Sequence, residues 1–120
     1  MSFASRIKPH VDKELAKAAE QRRSNQPARE FECLERAHVL GQASTVQHVR
    51  THSLMLAWSI RNRKLREFIG QIFRIVGAAT KTAVGLVPTG NTGGSNVSPF
   101  KPLPVPEDLQ NILHSARNDA

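Results

Sequence analysis

Apolar residues recur along this chain at three- and four-residue intervals separated by polar runs, the spacing of helices that bury one face. Pro9 suits a first helical turn, and from His10 to about Arg23 strong helix formers carry Val11, Leu15, Ala18 and Ala19 as a thin apolar stripe. So thin a stripe predicts a first helix that packs weakly. Ser24-Asn25-Gln26-Pro27 supplies a stop and a restart, and Ala28 to Leu40 reads as a second helix with Phe31, Leu34 and His38 on one face. Gly41 is expected just past its end, in the left-handed conformation that glycine adopts at little cost. Ser44 or Thr45 then caps a third helix to about Asn62, whose apolar second half, LMLAWSI, is expected at the centre. A fourth helix follows to about Val84, with Leu65, Phe68, Ile72, Val76, Ala79 and Ala83 at helical spacing, and Gly85 ends it.

Residues 85–105 gather most of the glycine and proline of the chain, yet Leu86, Val87, Val97, Phe100, Leu103 and Val105 are interleaved among them. This segment is expected to be an ordered strap against the helices rather than a regular element. A short last helix after Pro106 carries Glu107 and Asp108 in its first turn and docks through Leu109, Ile112 and Leu113. No internal repeat, heptad series or strand alternation is read. The prediction is all-α: one domain over residues 1–120, a small up-down helical bundle with a Gly/Pro-rich strap and a short C-terminal helix.

Composition narrows the functional classes. The 17 Lys and Arg against 10 Asp and Glu give +7, a basic protein, and the single thiol, Cys33, excludes an internal disulfide framework. The first residues lack the apolar core of a secretory leader, so a cytoplasmic location is expected. Residues 68–87 reach the length of a membrane span but contain Gln71, Arg74 and Lys81, which favours a buried helix and no membrane. Six aromatic side chains (five Phe, one Trp, no Tyr) do not make a stacking platform for single-stranded nucleic acid.

One constellation carries chemistry. Glu35 and His38 are three apart on the second helix and His48 and His52 four apart on the third, so each pair shares a helix face. The few residues around Gly41-Gln42-Ala43 force the two helices antiparallel and adjacent, which sets His38 level with His48 and Glu35 level with His52. Imidazoles and a carboxylate suit Zn²⁺ or another divalent transition metal and do not suit Ca²⁺ or Mg²⁺. A complete shell of Glu35, His38, His48 and His52 would be closed, as in structural or carrier sites; a shell short of one residue would leave a position for water. Glu32 and Gln42 are candidates to orient an imidazole through its free N–H. The competing arrangement is a metal-free buried network in which Glu35 hydrogen-bonds His38 or His52.

Neither H-E-x-x-H nor a second E-x-x-H occurs, which argues against a zinc protease and a two-metal carboxylate bundle, and beyond Glu32 and the ligands no separate general base or nucleophile is evident. Cys33 lies on another face and reads as a small buried apolar group; Met55 and Trp58 read as core, and His10 and His114 as solvated. Arg61, Arg63, Lys64 and Arg66, with Arg22 and Arg23, give a basic patch. Without a helix-turn-helix pattern the patch reads first as a solvated turn, and alternatively as the surface of an adaptor for an acidic protein or nucleic acid. Gly90-Asn91-Thr92-Gly93-Gly94 has no following Lys-Ser/Thr pair and reads as a turn rather than a phosphate cradle.

The segments FECLERAHVLGQ (31–42), HVRTHSLMLAW (48–58), EFIGQIFRIVGAATKTAVGLVPTGNTGG (67–94) and PLPVPEDL (102–109) together resemble a small family of uncharacterised bacterial proteins catalogued as a domain of unknown function. The resemblance covers most of the chain. It implies a single-domain, mostly helical bacterial protein whose relatives are often carried beside heavy-metal resistance genes, and it transfers no role to any residue. The expectation from the sequence is therefore a metal-handling or sensing accessory protein.

Overall fold

The computed structural model describes residues 2–81 and 103–118. These form five helices and no strand: α1 (Phe3–Arg23), α2 (Pro27–Gly41), α3 (Thr45–Arg61), α4 (Leu65–Lys81) and α5 (Glu107–Asn118). The protein is an all-α helical bundle in which consecutive helices α1 to α4 pack side by side, α5 lies across α1 and α2, and α4, at the edge, packs on α3 alone among the described elements. Residues 82–102, which include most of the expected strap and the glycines at 90, 93 and 94, lie outside the described residues. No described helix is long and apolar enough to cross a membrane.

Helix α1 starts seven residues before the expected His10. Ser2 caps it, its hydroxyl accepting from Ser5 N–H at 3.2 Å, and Pro9 sits inside the helix. That is tolerated because the carbonyl Pro9 leaves unserved belongs to Ser5, and both residues are exposed to water. The extra turns add Phe3 and Ile7 to the stripe, so α1 packs closely on α2 rather than weakly. It ends in a double closure, Gln26 N–H to Gln21 C=O at 2.9 Å and Asn25 N–H to Arg22 C=O at 3.1 Å, with Asn25 left-handed at φ 55°. The basic run closes α3 the same way, Lys64 bonding Ser59 C=O at 2.9 Å and Arg63 taking φ 54°, and Pro27 restarts the chain as the first residue of α2.

The apolar core lies between α1, α2 and α5: Ile7, Val11, Ala37, Val39, Leu40, Leu109, Leu113 and Ala116, with Val105 packed against it. Buried Glu14 receives Arg36 at 3.2 Å, and Arg36 also bridges to Asp108, tying three helices together. A smaller group joins Ala18, Leu34 and Met55 to half-buried Cys33, Phe31 and Trp58. Two expectations about centrality are overturned. The second half of α3 exposes Leu54 and Ile60, and the second half of α2 is buried all round instead, because α2 has neighbours on three sides. Helix α4 is not buried either: Leu65, Ile69, Ile72, Phe73 and Val76 face outward while Gln71 faces in.

Candidate metal centre

Three helices converge on a small polar pocket. His38 comes from the last turn of α2, and His48 and His52 from successive turns of α3, joined by residues 42–44. Gly41 sets the spacing of the two helices for a reason other than the expected one. It is helical, followed by Gln42 at φ −63°, and a Cβ placed on it would stand 2.7 Å from the Gln47 Cβ and 3.4 Å from the Val11 methyl. Only a residue without a side chain lets α2, α1 and the start of α3 approach so closely.

The three imidazoles are buried, 2%, 7% and 2% exposed, with ring centres 4.6–4.8 Å apart in a nearly equilateral triangle. Each offers a nitrogen within 4.8 Å of the others, and His38 Nε2 stands 3.1 Å from His52 Nε2. Two nitrogens bound to one tetrahedral zinc at 2.0–2.1 Å lie roughly 3.3 Å apart, so this pair is spaced for a shared ion with a shift of a few tenths of an ångström. Burial pushes His48 down to about 4, and burial together with the neighbouring His48 pushes His52 to about 3. At neutral pH both rings are neutral and offer lone pairs, the form that binds a metal.

The fourth polar contributor is one that the periodicity did not single out. His52 Nδ1 is 2.6 Å from Gln71 Oε1, and Gln71 Nε2 donates to Glu67 Oε2 at 2.6 Å. An amide oxygen accepts only, so the imidazole Nδ1–H donates and the lone pair of His52 is left on Nε2, toward the other two rings. The available signal was a glutamine at the centre of an apolar helix, weighed only as a burden on membrane insertion; it is fully buried.

Glu35, expected as the fourth ligand, is not in this group. Three residues advance a helix by 300°, which leaves Glu35 rotated from His38 toward the line Glu32, Arg36 and Val39. There it lines a cleft of about 290 Å³ against Pro104, Pro106 and Leu109. Glu32 shares that cleft and is likewise away from the imidazoles, whereas Gln42 is buried near the helix junction. Cys33 is half-buried, burial raising its thiol pKa, and stays apart from the centre. His114 is exposed and His10 half-buried. Of the basic run, Arg61 bridges buried Glu30 at 2.6 Å, while Arg63, Lys64 and Arg66 are exposed.

Comparison with known proteins returns one finding. No curated protein and no solved structure matches the chain. Residues 5–113 match the sequence model of a family described as a protein of unknown function (DUF3703), a span that takes in α1 from its third residue, α2 to α4, the three clustered histidines and the first turns of α5. The chain belongs to that family, DUF3703.

Proposed function

We propose that the protein binds a divalent transition metal ion, Zn²⁺ foremost, through His38, His48 and His52, and that it serves in metal handling or sensing. The observation that carries this is the buried triangle of three imidazoles with donor nitrogens within 4.8 Å. Its chemistry selects the ion: three imidazole nitrogens suit Zn²⁺, Ni²⁺, Co²⁺ or Cu²⁺ and suit Mg²⁺ or Ca²⁺ poorly. Three protein ligands leave one tetrahedral position for water or an exchangeable group, which fits a site that takes up and releases its ion. Gln71 and Glu67 hold His52 in the binding tautomer, and the α2–α3 junction fixes the distance between the two ligand-bearing helices.

The rival is a metal-free hydrogen-bonded cluster, favoured by the same 3.1 Å contact if His38 Nε2–H donates to the His52 lone pair. Metal analysis of untagged protein, after growth with added Zn²⁺ and gel filtration, separates the two. One ion per chain, lost in His48→Ala/His52→Ala and retained in Glu35→Gln, supports the three-histidine site. Equal, substoichiometric metal in wild type and the double variant would leave the hydrogen-bonded cluster.

A further inference from the structure

Among the described residues the outer face of α4 carries most of the exposed large apolar side chains. Leu65, Ile69, Ile72, Phe73 and Val76 are between 44% and 75% exposed, and Ile60, at the end of α3, is 59% exposed. Leu65, Ile69, Ile72, Val76 and Ala79 are separated by steps of four, three, four and three residues, a coiled-coil seam over two heptads that the broader helical period had hidden. The opposite face of the same helix presents Gln71 to His52 and carries Glu67 and half-buried Arg74. Helix α4 therefore turns Gln71 and the small Ala78 toward its own bundle and most of its large aliphatic side chains toward the outside.

We propose that this stripe is a homodimer interface in which α4 of one chain packs antiparallel against α4 of a second copy, with Ile72 on the two-fold axis. Area and charge carry the choice of partner. From their fractional exposures the outward side chains amount to an apolar patch on the order of 600 Å² per chain, at the upper limit for a monomer, and a face-to-face pair that covered all of it would remove about 1,200 Å², the lower bound of a specific interface. A two-fold pairing needs a self-complementary patch, and a heptad seam of aliphatic residues meets that need. The charges set the direction. Arg63, Lys64 and Arg66 crowd the start of α4 without an acidic residue between them. A parallel pair would place both clusters side by side. An antiparallel pair sets the two Arg66 residues roughly 18 Å apart along the axis, beyond the Debye length of about 8 Å in physiological salt. This interface stands independently of the metal reading.

Sedimentation and light scattering of the 120-residue chain test it. The expected species has twice the 13.3 kDa chain mass, and Ile69→Glu/Val76→Glu weakens self-association at least about 100-fold, since two carboxylates from each chain would be desolvated at the seam. Both positions are exposed, so helix content by circular dichroism should be unchanged; if that variant misfolds, Phe73→Ser replaces it. In a Cys33→Ala background, oxidation should join chains carrying Ile72→Cys and leave chains carrying Leu65→Cys unjoined. A monomeric wild type at millimolar concentration, a dimer indifferent to these substitutions, or cross-linking through position 65 and not 72 overturns the proposal. Flotation of a monomeric wild type with phosphatidylglycerol vesicles also overturns it and assigns the stripe to a membrane surface.

Discussion

The two sides of α2 are built on opposite principles. Toward α1 and α5 the interior is aliphatic, Ile7, Val11, Leu40, Leu109 and Leu113, with charged groups confined to ion pairs at its margin. Toward α3 and α4 the interior holds three histidines, Thr51, Gln47 and Gln71 beside a few apolar groups such as Met55 and Ala78, while most large aliphatic side chains of α4 are turned outward. The first arrangement is what the hydrophobic effect selects when nothing but stability is at stake. In the second, each polar group must find a partner before burial stops being a loss, and hydrogen bonds meet that requirement: Thr51 back to His48 C=O at 3.0 Å, His52 to Gln71, Gln71 to Glu67. A small domain that gives up part of its interior to imidazoles gains chemistry there at the expense of cohesion.

This contrast can be broken from either side. Leu40→Ala, at a fully buried site, should lower unfolding free energy by about 2–5 kcal/mol in urea titration while leaving metal stoichiometry per folded chain intact; a loss below about 1 kcal/mol would mean that the aliphatic side does not carry stability. Gly41→Ala reaches both sides at once. Its methyl would overlap Gln47, so the helix junction must open, and we expect a loss of about 1–3 kcal/mol in stability together with weaker metal binding. Normal affinity in that variant would show that the helix spacing is not critical.

Gln71→Leu tests the polar side alone. It removes the acceptor that holds His52 in one tautomer, and metal affinity by competition with a chromogenic chelator should fall about 10–100-fold, while the metal-free protein loses about 1–3 kcal/mol because a buried imidazole N–H is left without its acceptor. Acid supplies the smallest effect. In the folded chain His48 and His52 titrate near 4 and 3, below the ordinary histidine value, so between pH 7.5 and 6 the unfolded chain takes up protons that the native chain refuses. Metal-free protein should therefore lose stability as pH falls, by roughly 1 kcal/mol or less per histidine at pH 6. Flat stability across that range, measured by denaturant midpoint, would mean that these rings are solvated.

The helices, the stop at Ser24-Asn25, the restart at Pro27 and the docking face of α5 were legible in the sequence because local rules govern them: apolar period, capping and proline geometry. So was the meeting of His38 with His48 and His52, since a three-residue connection between two helices leaves their pairing little choice. Tertiary structure decided the rest. Periodicity identifies an apolar face without saying which way it turns, and α4 turned its face outward while Gln71, on its opposite side, met His52. Glu35 stands outside the group of three histidines: the 60° between it and His38 is contained in their three-residue spacing, and only the packing of α2 decided which of the two faced α3; Gln71 entered the centre from a helix whose partner only the assembled bundle could name.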